Sequence, residues 1–249
     1  MRFLILSDIH GNIDALDAVL ERAPRDSYDR LLILGDIVGY GATPNEVVSR
    51  IFDLEPDAII RGTHDKVSAG IEGFEASRRI AGEAARWTQK TLTAENLERV
   101  AGLPAGPKNV DRDIEICHGS PLDENTFVID KEDAAQALED SQRQICFFGH
   151  THLPVAYVKK GSKITVTHPQ PGGQDTTVVH VDKTRRYLVN PGSVGQPRDT
   201  DARASYATYD SKKLRIEIRR VAYRIDLAQQ KISASGLPES LAFRLGLGR

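Results

Sequence analysis

The sequence predicts an α/β fold in which two mixed sheets pack face to face between outer helices, a four-layer α/β/β/α sandwich. Two observations predict it. In the first 150 residues, short β-branched or aromatic runs recur: Phe3-Leu4-Ile5-Leu6, Leu31-Leu32-Ile33-Leu34, Ala58-Ile59-Ile60, Ile114-Glu115-Ile116-Cys117 and Ile145-Cys146-Phe147-Phe148. Such runs are the pattern of strands buried in a sheet. Beyond Val155 the strand patterns crowd together, separated by turn-like stretches such as Lys160-Gly161-Ser162 and Asp210-Ser211-Lys212-Lys213, which is the mark of hairpins.

Taken in order, residues 1 to 61 read as β-α-β-α-β. Helices are expected from near Asn12 and near Pro44, where Thr43 suits the N-cap and Pro44 the first helical position. Right-handed crossovers make this half a parallel sheet. Residues 66 to about 107 hold no strand pattern. Residues 76 to 90 are helix-like, with Ile80, Ala84 and Trp87 on one apolar stripe, and 93 to 101 read as a second helix stopped by Gly102 and Pro104. This insertion follows directly on His64-Asp65, so it is expected either to lie over the site formed there as a partial cap or to pack on the sheet edge. Strands at 155–158, 164–167, 177–181, 187–189, 206–209 and 214–221 are expected to form a second, mainly antiparallel sheet. Residues 226 to 249 read as a polar, weakly helical tail. With no repeat or low-complexity linker, a single domain over 1–249 is expected, carrying a helical cap-like insertion at about 66–107.

Composition narrows the function classes. With 40% hydrophobic and 27% charged residues the chain can bury a core, which argues against disorder. A formal net charge of −2 gives no basic excess for wrapping nucleic acid. No stretch approaches a membrane span, and the N-terminal apolar run, broken by Asp8, is too short for a signal-peptide core. The two cysteines, Cys117 and Cys146, both fall in expected core strands, as buried free thiols in a reducing cytoplasm do. The expected setting is cytoplasmic, the expected partner a small anionic substrate, and self-association into a homo-oligomer stays open.

Chemistry is concentrated at the C-terminal ends of the five apolar runs. These deliver Asp8-Ile9-His10, Gly35-Asp36, Gly62-Thr63-His64-Asp65, His118-Gly119 and Gly149-His150-Thr151-His152, and with them five of the chain's seven histidines. In open α/β sheets ligands bind outside those strand ends, so residues distant in sequence can converge there. Asp8/His10 and His150/His152 are each two apart, which places both side chains on one side of an extended segment. Carboxylate oxygen with imidazole nitrogen favours Mn, Fe, Zn, Co or Ni over Ca. The set exceeds the needs of one tetrahedral ion. Two ions about 3.5–4 Å apart, bridged by a carboxylate and a hydroxide, would use all of it, and Asp36 is the natural bridge.

The order D-x-H, G-D, G-(N)-H-D, H-G, G-H-T-H, running from residue 8 and followed by Asn190-Pro191-Gly192-Ser193, resembles the calcineurin-like metallophosphoesterase superfamily and its compact prokaryotic phosphodiesterase branch. The resemblance implies the α/β/β/α sandwich, hydrolysis of phosphoric esters, and two divalent transition metal ions, with Mn the leading expectation. Carried over by motif, it places the first metal with Asp8, His10, Asp36 and His152, and the second with Asp36, His118, His150 and residue 63. There the sequence departs from the family: Thr63 stands where the pattern has Asn, and a hydroxyl is a shorter and poorer ligand than an amide carbonyl. A weaker or water-completed second site is expected. The resemblance makes His64 the group that protonates the leaving alcohol or stabilises phosphoryl charge, with Asp65 holding its ring in the required tautomer. Thr63, His64, Tyr40 and Arg198 are the substrate-binding candidates.

Taken singly, these residues have plainer explanations. Asp36 after glycine suits a turn, as does Asn190-Pro191-Gly192-Ser193, and His168 and His180 read as ordinary strand residues. Two other function classes compete. A non-catalytic scaffold of the same fold has only Thr63 in its favour. A serine hydrolase is suggested by His118-Gly119-Ser120-Pro121 and Ser193, but no G-x-S-x-G elbow is present.

Overall fold

A computed structural model describes residues 1–76 and 79–249. The first half lays down three parallel strands, β1 (Arg2–Leu6), β2 (Arg30–Ile33) and β3 (Ala58–Ile59), linked by α1 (Ile13–Arg22) and α2 (Pro44–Asp53). Asn12 caps α1, its side chain accepting from Ala15 N–H at 3.1 Å. Thr43 stands at the N-cap of α2, but its hydroxyl serves the neighbouring helix, accepting from Ile13 N–H and donating to Gly11 C=O. Next come α3 (Thr63–Ser68), α4 (Arg79–Thr91) and α5 (Ala94–Ala101). The helix expected over 76–90 is thus found as α4, and residues 77–78 of that expectation lie outside the described residues. The remaining elements are β4 (Lys108–Asn109), β5 (Ile114–Ile116), α6 (Lys131–Asp140), β6 (Ile145–Phe147), β7 (Val155–Lys160), β8 (Lys163–Thr167), β9 (Thr176–His180), β10 (Arg186–Asn190), β11 (Ala204–Asp210), β12 (Arg215–Val221), α7 (Ile225–Ala234) and α8 (Glu239–Leu247).

Both sheets have six strands and both are mixed, in the orders β3-β2-β1-β11-β12-β9 and β4-β5-β6-β10-β7-β8. Two mixed sheets are as expected, but the later strands do not form one mainly antiparallel sheet: they divide, three extending each sheet. Strand alternation then sorts side chains into layers. Phe3, Ile5, Leu32 and Leu34 meet Ile116, Ile145, Phe147 and Val189 between the sheets. Leu4, Leu6, Leu31 and Ile33 face outward onto Leu16, Val19, Val47 and Ile51 of α1 and α2. On the far side Cys146, Phe148, Tyr157 and Leu188 lie under Ala134, Ala137 and Leu138 of α6. Burying each large apolar side chain in these layers contributes roughly 1.5–3 kcal/mol.

The helical segment after β3 packs in two directions. Val100 and Leu97 of α5 join the layer outside the first sheet, while Ala84, Ile80 and Trp87 of α4 meet α7 and α8 around Tyr40. The tail, expected to be weakly helical, forms a packed helical pair, with Ile232, Leu241 and Leu245 buried. Among the described residues no helix is long and apolar enough to cross a membrane.

Candidate metal centre

The strand ends converge because backbone hydrogen bonds knit their loops together. Asp8 N–H donates to Gly35 C=O at 3.1 Å, His10 N–H to Asp36 C=O at 2.9 Å and Gly149 N–H to His118 C=O at 2.8 Å. The conformation is not the extended one expected for the D-x-H and H-T-H pairs. Asp8, His10, His150 and His152 all have φ between 51° and 68°, and Asp36 and Tyr40 share this left-handed region. Non-glycine residues avoid it unless their surroundings impose it. Among the described residues, six of the nine non-glycine positive-φ residues sit here, which marks the loops as shaped for what their side chains meet.

Two ligand groups result. Donor atoms of Asp8, His10, Asp36 and His152 lie within 4.8 Å of one another, as do those of Asp36, His118 and His150. All six residues are buried, and Asp36 belongs to both groups. Gly62 permits this closeness: a Cβ there would collide with Asp36 Oδ1 and stand 2.6 Å from His118 Cε1.

The histidines are oriented by main-chain carbonyls. His10 Nδ1 donates to Val38 C=O at 3.1 Å, His118 Nδ1 to Leu34 C=O at 2.8 Å and His152 Nδ1 to Gln196 C=O at 2.6 Å. Each bond places the proton on Nδ1 and turns Nε2 inward as a lone-pair donor, the arrangement metal-ligating histidines use. His150 is turned the other way, its Nε2 donating to Asn125 C=O at 3.2 Å and leaving Nδ1 available. As a result His10 Nε2 and His152 Nε2 face each other at 3.1 Å with no proton between them, and the buried His118 Nε2 and Asp36 Oδ2 stand 3.4 Å apart without forming a hydrogen bond. A cation resolves both conflicts, so the residues fit divalent metal.

Where no cation stands between Asp36 and His118, a proton takes its place. Burial pushes the Asp8 carboxyl up to about 7, with Asp36 adding to the rise and His118 opposing it. Burial would discharge His118, but the Asp36 carboxylate outweighs it and holds the imidazolium up to about 10. Asp36 itself stays well below the usual range, since His118 and His64 overcome its desolvation. Burial lowers His10, His64 and His152, and takes His150 down to about 3.

Around this core the other predicted residues fall unevenly. Thr63 heads α3 between Gly62 and His64. His64 N–H donates to Asp36 Oδ1 at 2.8 Å, and its ring lies 4.3 Å from Tyr40 and 4.9 Å from His10. Asp65 does not hold that ring. Its carboxylate accepts from Val38 N–H at 3.1 Å and Gly62 N–H at 3.0 Å, because adjacent helical residues point about 100° apart and cannot both face the site. Tyr40 is buried, and its hydroxyl accepts from Arg198 at 3.4 Å. Ser193 is engaged with the main chain: its hydroxyl donates to Asp8 C=O and accepts from Gln196 N–H, both at 2.7 Å. Ser120 bonds Asp123 C=O. With neither serine on an imidazole, the serine hydrolase is excluded. Asn190 ties Gly149 C=O and Gly192 N–H, bracing the loop behind the histidines. Cys117 and Cys146 are buried and free, their Sγ atoms 3.5 Å apart.

Sequence reasoning missed Phe127, stacked on His150 at 4.0 Å, and Arg244, over the Tyr40 ring at 5.8 Å. Neither carries a motif. The carbonyls of Val38, Leu34 and Gln196 could not be read either, since a main-chain acceptor has no sequence signature.

Fold and site together define a metallophosphoesterase. The calcineurin-like phosphoesterase superfamily domain matches residues 1–214, and the chain belongs to that superfamily of phosphoric ester hydrolases. Among its relatives, an uncharacterized protein of Methanocaldococcus jannaschii is 35% identical over 247 residues, covering 98% of this chain and 97% of that one. The phosphodiesterase YfcE of Escherichia coli is 26% identical over 226 residues, 87% of this chain and 91% of its own. The crystal structure of a metallophosphoesterase from Sphaerobacter thermophilus is similar with a TM-score of 0.88 and 38% identity over the whole of both chains.

Proposed function

We propose that the chain hydrolyses phosphoric esters, as a phosphodiesterase and/or phosphomonoesterase, at a dinuclear centre. The observation that carries this is Asp36, one carboxylate shared by two ligand groups. Asp8, His10, Asp36 and His152 would hold the first ion, and Asp36, His118, His150 and Thr63 the second. Once bound, the ions would supply positive charge for the phosphate oxygens and lower the pKa of a shared water, so that a bridging hydroxide is available at neutral pH. Mn is the first candidate, with Fe, Ni, Co and Zn compatible with the same donors.

The remaining steps belong to the chain. Asp36 is held against drift by His64 N–H. Burial keeps His64 below its usual range, so at neutral pH its ring acts as a neutral hydrogen-bond donor to a phosphate oxygen or to the departing alcohol oxygen. Tyr40 positions that ring by packing against it, and Arg198 stands ready for phosphate charge beside it. The name of the YfcE relative favours diesters. The chain would act as a single domain, with 66–107 beside the site, in the cytoplasm, where Cys117 and Cys146 stay reduced.

Activity on bis(p-nitrophenyl) phosphate and p-nitrophenyl phosphate, with Mn, Ni, Co, Mg and Zn in parallel, tests the reading. Activity should vanish in chelator and return with Mn or Ni. Full activity in the metal-free protein, or none with any ion, would sink it, the second result favouring the scaffold alternative.

A further inference from the structure

The C-terminal helices bring a second arginine to the edge of the centre. The end of α8 is tied to the loop that carries Arg198, because Thr200 N–H donates to Gly248 C=O at 2.9 Å. That loop is braced from below by the ion pairs Asp199–Arg220 and Asp201–Arg203. In consequence two guanidinium groups attend one ring: the Arg198 and Arg244 carbons lie 5.7 and 5.8 Å from the Tyr40 centroid. Tyr40 in turn packs 4.3 Å from His64 and 4.8 Å from His10.

The Arg198 charge works against that of Arg244, and the nearby acids Asp199 and Asp201 are already engaged with Arg220 and Arg203. Arg198 donates once, to the Tyr40 hydroxyl, and its Nε is buried with no partner. Arg244 Nε donates to the main-chain oxygen of Arg249 at 2.9 Å, which leaves the other guanidinium nitrogens without a side-chain acid. Among the described residues, neither guanidinium pairs with an Asp or Glu side chain, the nearest acids being held by Arg220 and Arg203. The face of the ring relieves part of the repulsion, but what the arrangement lacks is a dianion with oxygens for both forks. A monocarboxylate would leave one charge unmatched.

We propose that Arg198, Arg244 and Tyr40 form a second phosphate subsite, which binds an uncleaved phosphate group on the substrate, so that the enzyme prefers esters bearing two phosphates. The inference rests on reading the adjacent centre as a phosphoesterase site, and binding measurements separate the two. Thymidine 3′,5′-bisphosphate and thymidine 5′-monophosphate differ in one phosphate. With the Mn-loaded protein, their affinities are measured by calorimetry and as competitive inhibition of bis(p-nitrophenyl) phosphate hydrolysis. The bisphosphate should bind about tenfold tighter, the equivalent of one good charge-assisted contact. Arg244→Gln should collapse that ratio towards one, and Arg244→Lys, which keeps the charge, should restore part of it. Equal affinities in the wild type, or a ratio that survives Arg244→Gln in a folded protein, would overturn the subsite. A bisphosphate preference in a protein that hydrolyses nothing would instead overturn the hydrolase reading and leave the subsite standing.

Discussion

Asp36 is buried between two sets of donors, with Oδ1 fixed by His64 N–H and Oδ2 free of any hydrogen bond. Replacing it should remove more than replacing any ligand that serves one set. Asp36→Asn is expected to lower metal content at both positions and kcat by about 10³-fold, several kcal/mol of charge stabilisation. Metal analysis and kcat check this; a loss no larger than that of His10→Ala counts against sharing. Thr63 gives the complementary experiment. Thr63→Asn should supply a carbonyl oxygen, raise affinity for the second ion and lift activity most at low metal concentration. Metal titrations decide, and equal affinity with equal turnover would remove position 63 from the ligands. At this scale the sequence was legible wherever a polar residue ended an apolar run, because strand ends converge in such folds. It was illegible where direction mattered: nothing in His64-Asp65 shows that the second side chain turns to the main chain.

At the scale of elements, Asp65 is the latch of α3. It satisfies two buried N–H groups, of Val38 and Gly62, and so fixes the helix start that presents Thr63 and His64. Asp65→Ala leaves both donors unpaired, at about 1–3 kcal/mol each. We expect a drop of at least about 2 kcal/mol in unfolding free energy by denaturant titration, with a loss of kcat that metal does not restore. Unchanged stability would show that other groups hold that turn. The strands beyond residue 150 were readable from alternation and turns, but their division between the sheets was not, since alternation reports that one face is buried without saying against which sheet. Helix α6, with Ala134, Ala137 and Leu138 as its buried face, was missed because so thin an apolar stripe among acids gives little periodic signal.

Across the whole molecule, the proposed ligands link the two sheets, Asp8 and Asp36 from one and His118 and His150 from the other, so metal binding would be coupled to folding. Two protons compete with the ions: Asp8 is raised to about 7, chiefly by burial, and His118 to about 10, where Asp36 outweighs burial. Both pKa values exceed those of the unfolded chain, so the two groups stabilise the metal-free fold at low pH and that contribution is lost as pH rises, through about 7 for Asp8 and about 10 for His118. Metal binding runs the opposite way. Affinity should climb about tenfold per pH unit between about 7 and 10, where one proton is displaced, and more steeply below about 7. The rise in Tm produced by a fixed Mn concentration should therefore be larger at pH 8 than at pH 6. A pH-independent increment would mean that these groups do not coordinate.

The interleaving of the sheets also sets an order of events at the ribosome. β1 is made well before its antiparallel neighbour, Ala204–Asp210. Asp8 waits 142 residues for His150, on the order of ten seconds at typical elongation rates. Throughout that interval the nascent chain displays an apolar strand with an open edge, so its yield in a cell should depend on chaperone supply more than the stability of the finished enzyme would suggest.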